Sequence, residues 1–250
     1  MIKTSIVMTY YKKSQFIENS VKSILNQTEK NFEIIIVDDE VSKESREILS
    51  IIKKIDNRIL LEANSKNLGA GESRNKGISK CKGSYIAFCD CDDLWDKTKL
   101  ETQLRFMENQ GSEFTFTSYR IIDHLNKEIG FRHAEESMTF DKLINSCDIG
   151  LSTVIVKKKF FENNKYRFAN TKTKEDYILW LEMSKNGIKM DGINECLASW
   201  RKTNNSLSSS TFQKLKDGYK VYNNYLKYNK FKSLYFLLKL SFNYILKKFK

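Results

Sequence analysis

The chain is 250 residues long, 40% hydrophobic, and carries a formal net charge of +12. With a mean hydropathy of −0.51 and a pI near 9.3, it reads as a soluble, enzyme-sized protein with one substantial α/β domain and an appendage. Five cysteines without CxxC spacing, and two histidines that are not at helical ligand spacing, argue against a thiolate or histidine metal site and for reduced thiols packed inside.

In chain order, Ile2 to Tyr10 is a strand candidate, and Gln15 to Asn26 places Ile17, Val21, Ile24 and Leu25 on one helical face. Phe32 to Val37 is a near-continuous apolar run of the kind buried in parallel sheets, and Ser42 can cap a helix bearing Ile48, Ile51, Ile52 and Ile55. Arg58 to Ala63, Glu72 to Cys81 and Ser84 to Cys89 then read as strand, helix and strand. A helix from about Lys97 to Asn109 and a strand from Phe114 to Ile122 follow. Asp123 to Ser137 is read as either a hairpin or a loop, Gly150 to Val156 as a further buried strand, and Glu175 to Lys185 as a helix ended by Gly187. This alternation implies right-handed βαβ units and a doubly wound, mostly parallel, Rossmann-like α/β sheet.

The run NNSLSSST at 204–211 is read as a boundary. It divides a catalytic domain over 1–208, with a nucleotide-binding half of about 1–96 and an acceptor half of about 97–208, from a helical tail over 209–250. From Phe212 to Lys250 there are ten lysines against one acid, Asp217, so +9 of the net charge lies in the tail. Its apolar segment, Leu234 to Leu246, is shorter than the ~20 residues that span a bilayer. Two readings stay open: an interfacial helix in peripheral contact with anionic membrane, or a helix packed on the catalytic domain with its lysines solvated. The first apolar run, Ser5 to Met8, is short and leads into polar residues, so no cleavable leader is expected and the chain is expected in the cytoplasm.

In open sheets of this kind ligands bind outside the carboxyl ends of the strands. Polar residues stand at four such ends: Thr9 and Tyr10, Asp38 and Asp39, Asn64 to Gly71, and Asp90 to Asp93. The last group, in AFCDCDDLWDK, is unusual in so basic a chain. Two carboxylates about 5 Å apart repel by roughly 3 kcal/mol at an effective dielectric near 20, so the cluster calls for a cation. Its hard oxygens suit Mg²⁺ or Mn²⁺ completed by substrate phosphates. Asp38-Asp39 can accept from a ribose or base, Asp38 being the better helix initiator and Asp39 the better ligand, and the glycine turn before Arg74 favours phosphate or nucleotide contact.

TYY at 9–11, VDDE at 37–40, NLGAGESRNKGI at 67–78, DCDDLW at 90–95 and KEDYILW at 174–180, in this order, resemble the family 2 glycosyltransferases of GT-A fold, particularly those of bacterial surface-polysaccharide assembly. The likeness spans about Lys3 to Ser208. It implies nucleotide contacts from Thr9, Tyr11, Asp39, Arg74 and Asp90, a metal-binding DXD-type motif at Asp90 and Asp92 with Asp93 beside it, and Asp176 as catalytic base. It also implies that Arg201, in WRKTNNSLS, reaches the diphosphate. Asp93, Glu175, Trp95 and Trp180 are read as sugar or acceptor contacts, with core packing the competing reading for both tryptophans. Met8 and Tyr11 stand near places where the family usually has proline and asparagine, and Cys91 replaces a small or hydroxyl residue in the acidic motif, which adds an expected sensitivity to oxidation.

The resemblance implies an inverting single displacement from a nucleotide sugar, UDP-linked by family preference, to a saccharide or polyprenyl-linked saccharide in capsule, lipopolysaccharide or other surface-glycan synthesis, with Mn²⁺ or Mg²⁺ as cofactor. Membrane contact through the tail suits such an acceptor. A sugar-phosphate nucleotidyltransferase would carry a GxGTR-like loop after the first strand, where this chain has TYYKKS. A nucleic-acid-binding protein would account for the basic pI, and an inactive sugar-binding subunit for the donor motifs; nucleic acid is not the expected partner.

Overall fold

The computed structural model describes residues 2–203 and 211–246. The expected sequence boundary falls largely on 204–210, outside the described residues. Strands β1 (Thr4–Tyr10), β2 (Phe32–Asp38), β3 (Ile59–Ala63) and β4 (Tyr85–Phe88) are parallel in the order 3-2-1-4. Helices α1 (Ser14–Leu25), α2 (Lys43–Lys53) and α3 (Ala70–Lys80) connect them. Every residue of β2 is buried, as its near-continuous apolar run requires when helices cover both faces, and the buried Glu33 accepts from Ser5 Oγ at 2.6 Å. Alternation along the strands sorts the core into two layers. Val7, Ile35, Val37 and Phe88 point to one cluster, and Ile6, Met8, Ile34, Ile36 and Ala87 to the other.

The second half is mixed in direction. After β5 (Leu94–Trp95) and α4 (Lys99–Gln110), β6 (Phe114–Ile122) folds back on β7 (Glu128–Arg132), so the 123–137 segment contains the hairpin. β8 (Ser137–Met138) and α5 (Phe140–Leu143) lead to a departure from the expected strand at Gly150–Val156. Leu151–Thr153 forms a 3₁₀ turn, closed by Thr153 N donating to Gly150 O, and only Ile155–Lys157 is strand, here β9. It runs antiparallel between β4 and β6. After α6 (Glu175–Lys185), ended by Gly187 at φ 82°, the strand β10 (Met190–Arg201) pairs parallel with β6 across two irregularities.

The tail is a wall of the domain. α7 (Thr211–Lys220) continues through a π-helical turn at Val221–Tyr225 to α8 (Lys230–Leu246). Val221, Tyr222, Leu226 and Leu240 belong to the same core cluster as Phe88 and Trp180. Buried Asp217 accepts from Thr173 Oγ1 at 2.9 Å and Gln213 Nε2 at 2.7 Å, and Tyr222 donates to Ile144 O at 2.9 Å. This is the packed reading of the tail for one of its faces.

The β2–α2 connection carries a strained residue. Asp38 Oδ1 accepts from Glu40 N and Val41 N, Asp38 Oδ2 accepts from Ser45 Oγ, and Ser42 and Ser45 form a capping box. These bonds hold Val41 at φ 59°, a region that a β-branched side chain disfavours. Relieving about 1–3 kcal/mol of strain outweighs the roughly 0.5–1 kcal/mol entropic penalty of glycine. Val41→Gly is therefore expected to raise the urea midpoint without changing the slope, and a lowered midpoint would refute the strain.

Candidate active site

The polar strand ends converge on one rim, as the parallel half dictates. Asp38 is occupied in the capping turn just described. Asp39 is buried and receives four donors: Asn64 Nδ2 at 2.8 Å and Leu68 N at 2.7 Å on Oδ1, Asn67 Nδ2 at 3.1 Å and Gly69 N at 3.0 Å on Oδ2. It thereby fixes the 64–69 loop and sits where α3 begins, the end that favours an anion. Thr9, partly buried, and Tyr11, exposed with Lys12 Nζ 5.3 Å from its ring centroid, stand at the open mouth.

Arg74 lies one turn into α3 and is buried. Its Nη2 donates to Asp90 Oδ1 at 2.8 Å and its Nη1 to Glu175 Oε1, joining the acidic turn after β4 to the start of α6. The surrounding chain is built to bring these elements close. A Cβ at Gly71 would lie 2.4 Å from Ala169 O, so only glycine admits the 168–169 segment against α3. Asn75 clamps that segment by exchanging hydrogen bonds of 2.9 Å with Phe168 O and Phe168 N. Arg74 also lies 5.4 Å from the Phe168 ring centroid. Lys174, at φ 67°, then turns the chain into α6, whose first residues are Glu175 and Asp176.

Asp176 stands at the rim beside this network, its Oδ1 accepting from Tyr177 N at 2.7 Å. Burial, reinforced by the neighbouring Glu175 and opposed by Arg74, lifts its carboxyl to about 6. A carboxylate so raised is ionised at neutral pH yet more basic than an ordinary aspartate, which suits proton abstraction.

The cation that the DCDD turn calls for is supplied in part by the protein. Lys13 Nζ lies 2.8 Å from Asp92 Oδ2 and also donates to Thr203 Oγ1 at 2.8 Å. Asp93 is buried, accepting from Ser152 Oγ and from Arg201 N at 2.8 Å; burial first, then Asp92 and Asp90, push its carboxyl well above the usual range. Burial and Asp90 also raise Asp92, against Lys13. Among the described residues no group of three acids, histidines or cysteines could cage a metal by itself. The donor set fits instead a hard divalent ion held by Asp92, with Asp90 nearby, and completed by phosphate oxygens. Lys13 already places a positive charge at that carboxylate.

Like Asp93, which is spent on Ser152 and the Arg201 backbone, three further residues expected to contact ligand have other partners. Arg201 is buried: its Nε donates to Asp92 O at 2.7 Å, its Nη1 to Asp123 O at 2.8 Å, and its guanidinium lies 4.6 Å from the Phe16 ring centroid. It ties the acidic turn to the end of β6. Trp180 has no exposed surface and packs edge-on against Phe114 and Phe168, because it occupies the inward face of α6. Trp95 is buried too, its Nε1 donating to Ser152 O at 2.8 Å and its ring lying under Lys99 Nζ. Cys91 is buried and its thiol is pushed well above its ordinary pKa by burial, which keeps the reactive thiolate scarce. All five cysteines are free.

Sequence reasoning did not single out Lys13, Ser152 or Asn75. Ser152 ties the site together: its Oγ accepts from Asp90 N at 3.0 Å while donating to Asp93. The two lysines that close TYYKK were a visible signal for Lys13; nothing local marks the other two.

Comparison with known proteins bears on this arrangement. A family model described as Glycosyl transferase family 2 matches residues 5–181. The chain is 37% identical to the putative teichuronic acid biosynthesis glycosyltransferase TuaG of Bacillus subtilis, over 87% of this chain and 86% of that protein. It is 33% identical to the Escherichia coli UDP-Glc:alpha-D-GlcNAc-diphosphoundecaprenol beta-1,3-glucosyltransferase WfgD, over 96% and 91% of the two chains. S. aureus TarS 1–349 in complex with UDP-GlcNAc superposes with a TM-score of 0.74 at 19% identity, covering 94% of this chain and 70% of that one. The Pyrobaculum calidifontis mannosyltransferase PcManGT with GDP-Man and Mn²⁺ gives 0.70 at 10%, covering 91% and 65%. These structures establish the GT-A architecture of the sheet. Since the matched span takes in most of the chain and both sequence relatives align along nearly their whole length, the chain belongs to glycosyl transferase family 2.

Proposed function

We propose that this protein transfers a hexose or N-acetylhexosamine from a UDP-sugar, with inversion at the anomeric carbon, to a lipid-linked saccharide in bacterial surface-glycan synthesis, working at the inner face of the cytoplasmic membrane. The observation that carries this reading is the Arg74 bridge, which holds Asp90 of the acidic turn and Glu175, the neighbour of Asp176, on one buried cation. In this reading the bridge keeps the donor and acceptor sides of the site in register. The names of TuaG, a teichuronic acid enzyme, and WfgD, which takes UDP-glucose to an undecaprenyl-linked acceptor, support the pathway and substrate classes. The TarS complex with UDP-GlcNAc supports the uridine nucleotide.

In this mechanism Tyr11 and Thr9, with the loop ordered by Asp39, take the nucleoside. Arg74 orients Asp90 toward it. Asp92, with Asp90 beside it in sequence, would hold Mn²⁺ or Mg²⁺, which when bound would supply positive charge to the departing diphosphate. Asp176 takes the proton of the acceptor hydroxyl as the new bond forms, a contribution of about 10² to 10⁴-fold for a positioned base. Glu175, held by Arg74, fixes the first turn of α6 and so the aim of Asp176.

The donor site is tested by calorimetric titration of UDP, GDP, dTDP and ADP with Mn²⁺ or with EDTA. UDP binding that requires Mn²⁺ and is lost in Asp92→Ala is expected; indifference to metal and variant would remove the basis of the proposal. Lys13→Gln frees Asp92 from a competing cation, so Mn²⁺ should bind several-fold tighter without nucleotide, read from the free-Mn²⁺ electron paramagnetic resonance signal; unchanged or weaker binding would contradict the competition.

Asp176→Asn should lower kcat by about 10² to 10⁴-fold. The same variant has a signed effect on stability. Because the folded pKa, about 6, lies above that of the unfolded chain, stability falls as pH rises from the unfolded value toward the folded one, and the full cost of ionising Asp176 is present above it. The amide should therefore melt higher than the parent at pH 8, with the gap closing as pH falls toward 4 and Asp176 takes up its own proton. A parent that melts higher at pH 8 would contradict the burial argument.

A further inference from the structure

Helix α8 is apolar on two faces, and the described residues cover only one of them. Leu240 and Ser233 are buried, and Phe236 and Leu237 pack on the core. On the other side Phe231, Leu234, Tyr235, Leu238, Phe242 and Ile245 form a continuous stripe at steps of three and four residues, all at least half exposed, from 50% for Leu234 and Ile245 to 88% for Phe231. Six large apolar side chains in one exposed row exceed the scattered apolar residues of an ordinary surface. The helical wheel sets Lys230 on one flank of the row and Lys232 and Lys239 on the other. No acid occurs in the sequence from Gly218 to Lys250.

We propose that this stripe is the membrane-contact surface of the enzyme: α8 lies in the plane of an anionic bilayer interface, with the stripe among the acyl-chain ends and the flanking lysines reaching the headgroups. The partner follows from charge and length. At 17 residues α8 is about 25 Å long, and no helix among the described residues is long and apolar enough to cross a membrane. Apolar residues between two rows of lysines are the pattern of an in-plane helix whose cations snorkel to anionic headgroups. A second copy seated on the same stripe by a twofold axis would set lysine rows against each other with no acid on α8 to pair them.

The contacts behind the stripe extend the inference from docking to orientation. Asn243 Nδ2 donates to Asn145 O at 2.9 Å, Tyr222 to Ile144 O, and Tyr177, next to Asp176, to Leu143 O at 2.8 Å. The helix on the lipid and the helix bearing the base thus grip the same short segment, which would bring the acceptor side of the crevice toward the interface. This part rests on the lipid-linked acceptor proposed above; the vesicle contact does not require it.

The test is co-sedimentation of the full chain with vesicles of phosphatidylcholine alone or with phosphatidylglycerol added. Binding to the anionic vesicles, weakened about tenfold or more by Leu238→Ser with Phe242→Ser and made insensitive to phosphatidylglycerol by Lys230→Gln with Lys239→Gln, is the expected result. Both pairs are exposed, so melting temperature and UDP titration should stay at parent values, showing that lost vesicle binding is not lost folding. Parent protein that ignores both vesicles, or serine variants that bind them as well as the parent, would overturn the proposal. So would light scattering that shows a dimer dispersed by the serine variants. Vesicle binding without any UDP binding would leave this surface standing and sink the donor reading instead.

Discussion

The buried Arg74 guanidinium is the interaction on which the active-site end of this molecule depends. A parallel sheet brings its strand ends to one rim, and this sequence loads that rim with carboxylates from β2, from β4 and from the start of α6. Such a collection repels itself, most strongly where solvent is excluded. One planar cation with two directed forks, placed between Asp90 and Glu175, turns the repulsion into a bond between elements that are remote in sequence. The close approach at Gly71 and the Asn75 clamp make that placement stable, because they fix how far α3 stands from the segment leading into α6.

A second tier of polar contacts sustains the acidic turn. Asp93 is the least exposed of its carboxylates, and it is satisfied by Ser152 and the Arg201 backbone rather than by any ligand. Asp92 remains at the rim with a lysine as its partner. Within four residues, then, the aspartates take separate parts: one bound to the arginine bridge, one turned to the mouth, one spent as internal scaffold. Burial, and not sequence position, makes the division.

The first half of the fold was legible in the residues because apolar strand runs alternate there with helices of period 3.6, and its α2 begins at Ser42, a residue type that helix starts demand. The second half was less so. Gly150 to Val156 has a strand's composition, but its Ser152 is drawn into the acidic turn and the backbone closes a 3₁₀ turn to deliver it. β10 was missed because Asn194 and Glu195 and two register shifts break its alternation. At the site, carboxylates could be read as a cluster since they are adjacent in sequence. Which partner each carboxylate takes could not, since Lys13, Arg74, Ser152 and Arg201 come from widely separated parts of the chain. Trp180 illustrates the converse: an aromatic on the same helix as the proposed base, Asp176, faces the core because helical geometry turns it there.

The reversed strand β9 has a consequence for how this scaffold can vary. Because it runs antiparallel between β4 and β6, the residues just before it, Ser152 among them, arrive at the same rim as the residues just after β4. The chain therefore leaves that rim at the end of β6, wanders through the 123–150 stretch, and is returned to a fixed point there. Between those moorings Leu143, Ile144 and Ile149 are buried in the core, while the β6–β7 turn at 124–127 is exposed. That turn can lengthen, shorten or change its chemistry while the acidic turn keeps its register, so variation at the rim need not disturb the carboxylates beside it.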